Sequence, residues 1–90
     1  MQQVRDNRAE QEYALTVDGH VARAAYQIEG DRIVFTHTLV PKAIEGRGVG
    51  SKLIRAALDG ARDRGLKVVP QCSFVRAYID RHPAYRDLLA

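Results

Sequence analysis

The hydrophobic period of this chain changes across one glycine-rich hexapeptide, residues 45–50. Before the hexapeptide, apolar and polar residues alternate as in half-buried strands. After it, apolar residues recur every three or four positions, as in an amphipathic helix. Glycines at alternate positions leave backbone N–H groups bare where the helix begins. Because the first turn of a helix has unpaired N–H donors and the positive end of a dipole, the loop predicts a site for a phosphate or pyrophosphate.

Three strands are predicted before the loop. The first runs from about residue 11 to 17 and places on one face Tyr13, Leu15 and Val17. Asp18-Gly19 then predicts a hairpin turn, since both turn positions accept positive φ. The second strand covers residues 21–28. The third covers residues 32–40 and places on one face Ile33, Phe35, His37 and Leu39. Pro41 ends it, because proline lacks the N–H that a strand ladder needs.

A helix, a buried strand and a second helix are predicted after the loop. The first helix covers residues 49–64 and is followed by Gly65 as a C-cap. Residues 66–70 are apolar and β-branched, and the right-handed crossover rule places this strand parallel to the third. Cys72 or Ser73 is expected to cap a second helix that stops near His82, because Pro83 disfavours helical geometry in its predecessor.

The predicted architecture is therefore an α+β sandwich. It combines a three-stranded antiparallel meander, a helix, a parallel strand and a C-terminal helix. We expect a single domain over residues 1–90, in which residues 1–8 are frayed.

Composition narrows the class of protein. The chain is 46% apolar and 28% charged, as expected for a soluble globular domain, and no apolar run approaches a membrane span. No secretory leader is visible, and one cysteine neither forms an internal disulfide nor defines a metal site, so we expect a reducing, cytoplasmic setting. The net charge of +3 is spread along the chain, and the aromatic residues do not alternate with Lys or Arg. Nucleic-acid binding is therefore the weaker alternative to binding a polyanionic cofactor.

Three further motifs, taken with the glycine loop, resemble a known family. They are His37-Thr38-Leu39-Val40-Pro41, Pro70-Gln71-Cys72-Ser73-Phe74-Val75 and Arg81-His82-Pro83-Ala84-Tyr85. Over residues 13–89 the chain resembles the minimal, YjdJ-type branch of the GNAT acetyltransferase superfamily. The loop is similar to the acyl-coenzyme A pattern of that superfamily, Gln/Arg-x-x-Gly-x-Gly/Ala. The resemblance implies a minimal GNAT fold and an N-acetyltransferase that uses acetyl-CoA and an amine acceptor, either a small molecule or a protein tail.

The resemblance also implies where the coenzyme is held. Backbone N–H groups of six consecutive residues face the pyrophosphate: Gly46, Arg47, Gly48, Val49, Gly50 and Ser51. Leu39 and Val40 pair their backbone with the pantetheine arm, like an added strand. Glu45 departs from the family pattern, in which Gln or Arg is usual at this position. A carboxylate beside a pyrophosphate is unfavourable. Arg47 can supply positive charge instead.

Cys72 and His37 are the candidate catalytic residues. Cys72 lies where a strand ends and a helix begins, a position that lowers a thiol pKa from about 8.5. It is either an acyl carrier or wall of the thioester pocket, or a small buried hydrophobe. His37 is either a core residue or, facing Cys72 across one cleft, the base that deprotonates the amine or the thiol.

The usual general acid of larger GNAT enzymes is missing. Counted from Cys72, the positions that hold Asn and Tyr in those enzymes are filled differently, and Tyr78 lies one residue out of step, so that it points elsewhere on the helix. A non-catalytic module that binds coenzyme A or a partner protein is therefore the alternative to an enzyme.

Overall fold

The computed structural model describes residues 3–90, whose strands form a five-stranded sheet in the order β1-β2-β3-β4-β5. The strands are β1 (Arg5–Asn7), β2 (Glu12–Val17), β3 (His20–Glu29), β4 (Arg32–Leu39) and β5 (Lys67–Pro70). Neighbouring strands from β1 to β4 are antiparallel, whereas β5 is parallel to β4. The predicted α+β class, the meander and the parallel strand are confirmed.

Two helices pack side by side on one face of this sheet. They are α1 (Val49–Asp63) and α2 (Ser73–Arg81), and two 3₁₀ turns lie at Lys42–Ile44 and Pro83–Leu88. The core between the helices and the sheet includes the predicted face of β2, Tyr13, Leu15 and Val17. Within residues 3–90, the buried apolar residues of both helices and both turns belong to this one core, so the other face of the sheet carries no helix.

The N-terminal segment is more ordered than predicted. We expected residues 1–8 to be frayed, but Arg5–Asn7 forms β1 and pairs with β2; Met1 and Gln2 lie outside the described residues. The reason is a polar anchor. The Asp6 carboxylate accepts a hydrogen bond of 2.6 Å from the Tyr26 hydroxyl and lies 3.4 Å from the Arg64 guanidinium. Both partners are distant in sequence, so no local pattern indicates the strand.

This anchor predicts a loss of stability at high pH. Burial, together with the hydrogen bond to Asp6, raises the pKa of Tyr26 to about 12. A tyrosine in the unfolded chain ionises near pH 10, so above about pH 10 the unfolded state loses its proton first and stability falls as pH rises. Between about pH 9 and pH 11.5 the free energy of unfolding should fall by about 2 kcal/mol more in the parent protein than in Tyr26→Phe. Urea unfolding at both pH values measures the difference; parallel declines in the two proteins contradict it.

A β-bulge interrupts β4. Tyr26 of β3 pairs with Phe35, but its neighbour Ala25 pairs with His37, which leaves Thr36 as the extra residue. Because side chains alternate along a strand, one extra residue exchanges the two faces of everything that follows it.

The bulge corrects the predicted face of β4. Phe35 lies in the core as expected, but beyond the bulge it is Thr38, paired with buried Ala24, that points to the helix-covered side. His37 and Leu39 point to the opposite side, where His37 is exposed and Leu39 is 57% exposed. The prediction that His37 and Leu39 share a face with Phe35 is therefore wrong.

Candidate functional site

An open pocket of about 510 Å³ lies where β4 runs past the end of β5. Its walls are residues 38–40 at the end of β4, residues 44–46 and 48 of the following loop, residues 49–51 of α1, and Phe74 of α2. β4 pairs with β5 only as far as Phe35, whose carbonyl also accepts a hydrogen bond of 3.0 Å from the Cys72 N–H. Beyond that point β5 has ended, so one backbone edge of β4 faces the opening.

The loop glycines serve two different purposes. Gly46 and Gly48 have φ values of 74° and 72°, a left-handed conformation that other residues rarely adopt. Gly48 is also the N-cap of α1, and no side chain caps this helix or places a carboxylate in its first turn. Gly50 has ordinary helical geometry, but a Cβ there would lie 2.6 Å from the Phe74 ring. The first turn of α1 thus faces the pocket with its N–H groups uncovered.

Arg47 turns away from the pocket that its neighbours line. Its guanidinium lies 2.6 Å from the Asp18 carboxylate in the turn between β2 and β3, and this contact lowers the pKa of Asp18. The other predicted coenzyme residues all line the pocket: Leu39, Val40, Gly46, Gly48, Val49, Gly50 and Ser51. The Arg47 side chain therefore pairs with the turn between β2 and β3 and does not line the pocket.

Cys72 is buried beside the pocket and contacts one of its walls. Cys72 is the N-cap residue of α2 and is 8% exposed. Its Sγ atom lies 3.3 Å from the Thr38 hydroxyl oxygen. Burial, the largest influence, raises the pKa of Cys72. Hydrogen bonding from Thr38 and from the N–H groups of Val75 and Phe74 outweighs it, so the net pKa is lowered.

Comparison with known proteins identifies the architecture around this pocket. A family model described as GCN5-related N-acetyl-transferase matches residues 12–88. The chain belongs to this family. The matched segment runs from β2 to the last 3₁₀ turn and includes the glycine loop, the pocket and Cys72. The predicted resemblance to the GNAT superfamily is therefore confirmed at the level of family and fold.

Relatives in vertebrates and a solved bacterial structure agree with this family. Protein NATD1 of Gallus gallus is 34% identical over 84 residues, which cover 90% of this chain and 76% of that protein. Protein NATD1 of Homo sapiens is 34% identical over 83 residues, which cover 89% and 74%. The solution structure of a GCN5-like protein from Staphylococcus aureus superposes with a TM-score of 0.76 at 26% identity, covering 98% of this chain and 87% of that one.

The two predicted catalytic residues of this GNAT domain are not brought together. Cys72 contacts the helix-covered side of β4, whereas the bulge places His37 on the opposite side. The prediction that the two face one cleft is wrong, and Thr38 occupies the place expected for His37. Sequence reasoning missed Thr38 because no residue type in β4 indicates a bulge there.

Tyr78 does not line this pocket but lines a neighbouring cavity, which shares Ser51 with it. It is 3% exposed between α1 and α2, and its ring stacks on His82 with the centroids 3.9 Å apart. Burial raises the pKa of Tyr78, which keeps its hydroxyl protonated at neutral pH. Among residues 3–90, neither a tyrosine nor a histidine lines the pocket.

Residues 3–90 contain no cluster of three or more side chains suited to hold a metal ion. Over the same residues, every helix is too short or too polar to cross a bilayer.

Proposed function

We propose that this protein binds acetyl-CoA in the pocket between β4 and α1 and transfers the acetyl group to an amine. One observation carries the proposal: an uncapped helix N-terminus and an unpaired strand edge line the same pocket. The GNAT fold generally uses acetyl-CoA, which supports the same ligand. The single cysteine supports the finer proposal of a reducing, cytoplasmic setting.

The two halves of the pocket suit the two halves of the coenzyme. The N–H groups of residues 46–51, at the positive end of the α1 dipole, are the donors for the pyrophosphate. The exposed backbone of Leu39 and Val40 offers the pantetheine amides the hydrogen bonds that another strand would make. Phe74, 37% exposed, supplies an apolar wall between α1 and α2.

The reaction needs an attacking amine and a departing thiolate. The amine nitrogen attacks the thioester carbonyl and loses a proton, the C–S bond breaks, and the thiolate of coenzyme A takes up a proton. Thr38 lines the pocket and contacts Cys72 at the start of α2, so we assign these two side chains to the acyl end. His37 receives no role, because it lies across the sheet.

A coenzyme-binding module without turnover is the second candidate. It is favoured by one observation, that no tyrosine or histidine among residues 3–90 lines the pocket to move the proton. Intact mass spectrometry after incubation with acetyl-CoA and a panel of amines separates the candidates. Acetylated amine, or an acetyl group on Cys72, supports transfer; bound coenzyme with neither product supports the module.

The loop assignment is tested by Gly48→Asp with Gly48→Asn as its matched control. Asn and Asp have the same shape, tolerate the left-handed conformation and are good helix N-caps, so both variants should fold. The aspartate alone adds a negative charge at the α1 terminus. We expect Gly48→Asp to weaken acetyl-CoA binding by at least about ten-fold relative to Gly48→Asn.

Calorimetric titration measures both affinities, and thermal unfolding verifies that the two variants are folded. Equal affinity of the Asp and Asn variants for acetyl-CoA refutes the loop assignment.

A further inference from the structure

Glu45 places a negative charge at the lining of a pocket that is otherwise suited to an anion. It follows the buried Ile44, and its N–H donates to the Lys42 carbonyl at 3.3 Å, so its backbone is held at the pocket edge. The other residues that line the pocket are apolar, hydroxyl-bearing or glycine. Within residues 3–90, Glu45 is therefore the one lining residue with an acidic or basic side chain.

The charge of Glu45 is not neutralised by a nearby ion pair. The ion pairs formed within residues 3–90 join arginines to Asp6, Glu12, Asp18 and Asp87. Arg47, the cation closest in sequence, is committed to Asp18. The pocket lining therefore combines the positive end of α1 with an exposed acidic residue that forms no ion pair within residues 3–90.

We infer that Glu45 limits the affinity of the pocket for coenzyme A. The inference rests on the proposed function, since it concerns the same pyrophosphate site. Like charges repel even in water-like surroundings, so a carboxylate close to two phosphate charges weakens their binding, and salt reduces the effect. Acetyl-CoA and the product coenzyme A share the pyrophosphate, so Glu45 weakens both equally. Its contribution is a lower affinity for both molecules rather than discrimination between the two.

The test compares Glu45→Gln with Glu29→Gln, an equal change of net charge at an exposed position at the other end of the sheet. Titration with coenzyme A at low salt should show Glu45→Gln binding about three- to ten-fold more tightly than the parent. The gain should shrink at high salt. Glu29→Gln should bind coenzyme A with the same affinity as the parent. Pantetheine lacks the phosphates, so it should bind to Glu45→Gln and to the parent with equal affinity.

The outcomes separate this inference from the function on which it rests. If the parent binds coenzyme A and Glu45→Gln binds it equally or more weakly, the inference is overturned and the coenzyme site stands. A gain that persists unchanged at high salt, or that extends to pantetheine, also overturns it, because the cause is then not charge. If the parent binds no coenzyme A, the proposed function itself fails. Thermal unfolding of Glu45→Gln shows whether the variant retains the parent fold.

Discussion

Ile44→Ala is expected to lower the free energy of unfolding by about 2–5 kcal/mol and also to weaken acetyl-CoA binding. Ile44 is fully buried in the 3₁₀ turn Lys42–Ile44 and belongs to the main core. Its removal leaves a cavity beneath the loop and loosens the residues that immediately follow, Glu45 and Gly46. Urea unfolding measures the stability, and titration at a temperature where the variant is folded measures the affinity.

Leu15→Ala is the matched control for Ile44→Ala. Leu15 is also fully buried, but it lies in the middle of β2 and does not line the pocket. The control should lose a similar amount of stability and, per folded molecule, bind acetyl-CoA like the parent. Equal affinities of the Ile44 variant and the parent show that this anchor does not shape the loop.

Gly60→Ala is expected to destabilise the protein by about 1–3 kcal/mol, although Ala normally stabilises the interior of a helix. A Cβ at this position of α1 would overlap the Tyr13 hydroxyl and lie 3.1 Å from its Cζ. Tyr13 is 4% exposed and packs against two other rings, with centroid distances of 5.5 Å to Tyr26 and 6.4 Å to Phe35. The ring therefore cannot move aside without disturbing the core. Calorimetric unfolding measures the cost.

A double-mutant cycle isolates the contact between Gly60 and Tyr13. Tyr13→Phe removes the hydroxyl, which is the atom nearest to the added Cβ. In that background, the cost of Gly60→Ala should fall by at least about 0.5 kcal/mol. A Gly60→Ala variant that is more stable than the parent would show that α1 does not approach β2 this closely.

Local signals account for the parts of the fold that the sequence predicted. Alternation in β2 and the Asp18-Gly19 turn depend on residues close together in the chain. Helix α1 ends at Asp63, within one residue of the predicted bound, and Gly65 has the positive φ expected of a C-cap. The parallel placement of β5 follows from the handedness of chain crossovers rather than from any particular residue. The glycine loop was found for the same reason, because glycine spacing at a helix start is a local pattern.

The features that sequence analysis missed depend on residues far apart in the chain. The bulge at Thr36 is a property of the pairing between β3 and β4, and it decided that Thr38 rather than His37 contacts Cys72. The N-terminal strand depends on Asp6 meeting Tyr26 and Arg64. Alternation within one strand carries no information about such partners, so register and polar anchors stayed beyond prediction.

Both helices lie on one face of the sheet, and α1 contributes to both the pocket and the core. Ligand binding at its first turn is therefore linked to the stability of the folded protein. α1 begins at the glycine loop, where we propose that the coenzyme binds, and it covers the core with six buried residues. A ligand gripped there binds the native molecule and not the unfolded one, so its concentration shifts the folding equilibrium by mass action. If the proposed coenzyme binds there, its depletion lowers the folded fraction of the chain, and the abundance of the protein in a cell should follow the supply of coenzyme.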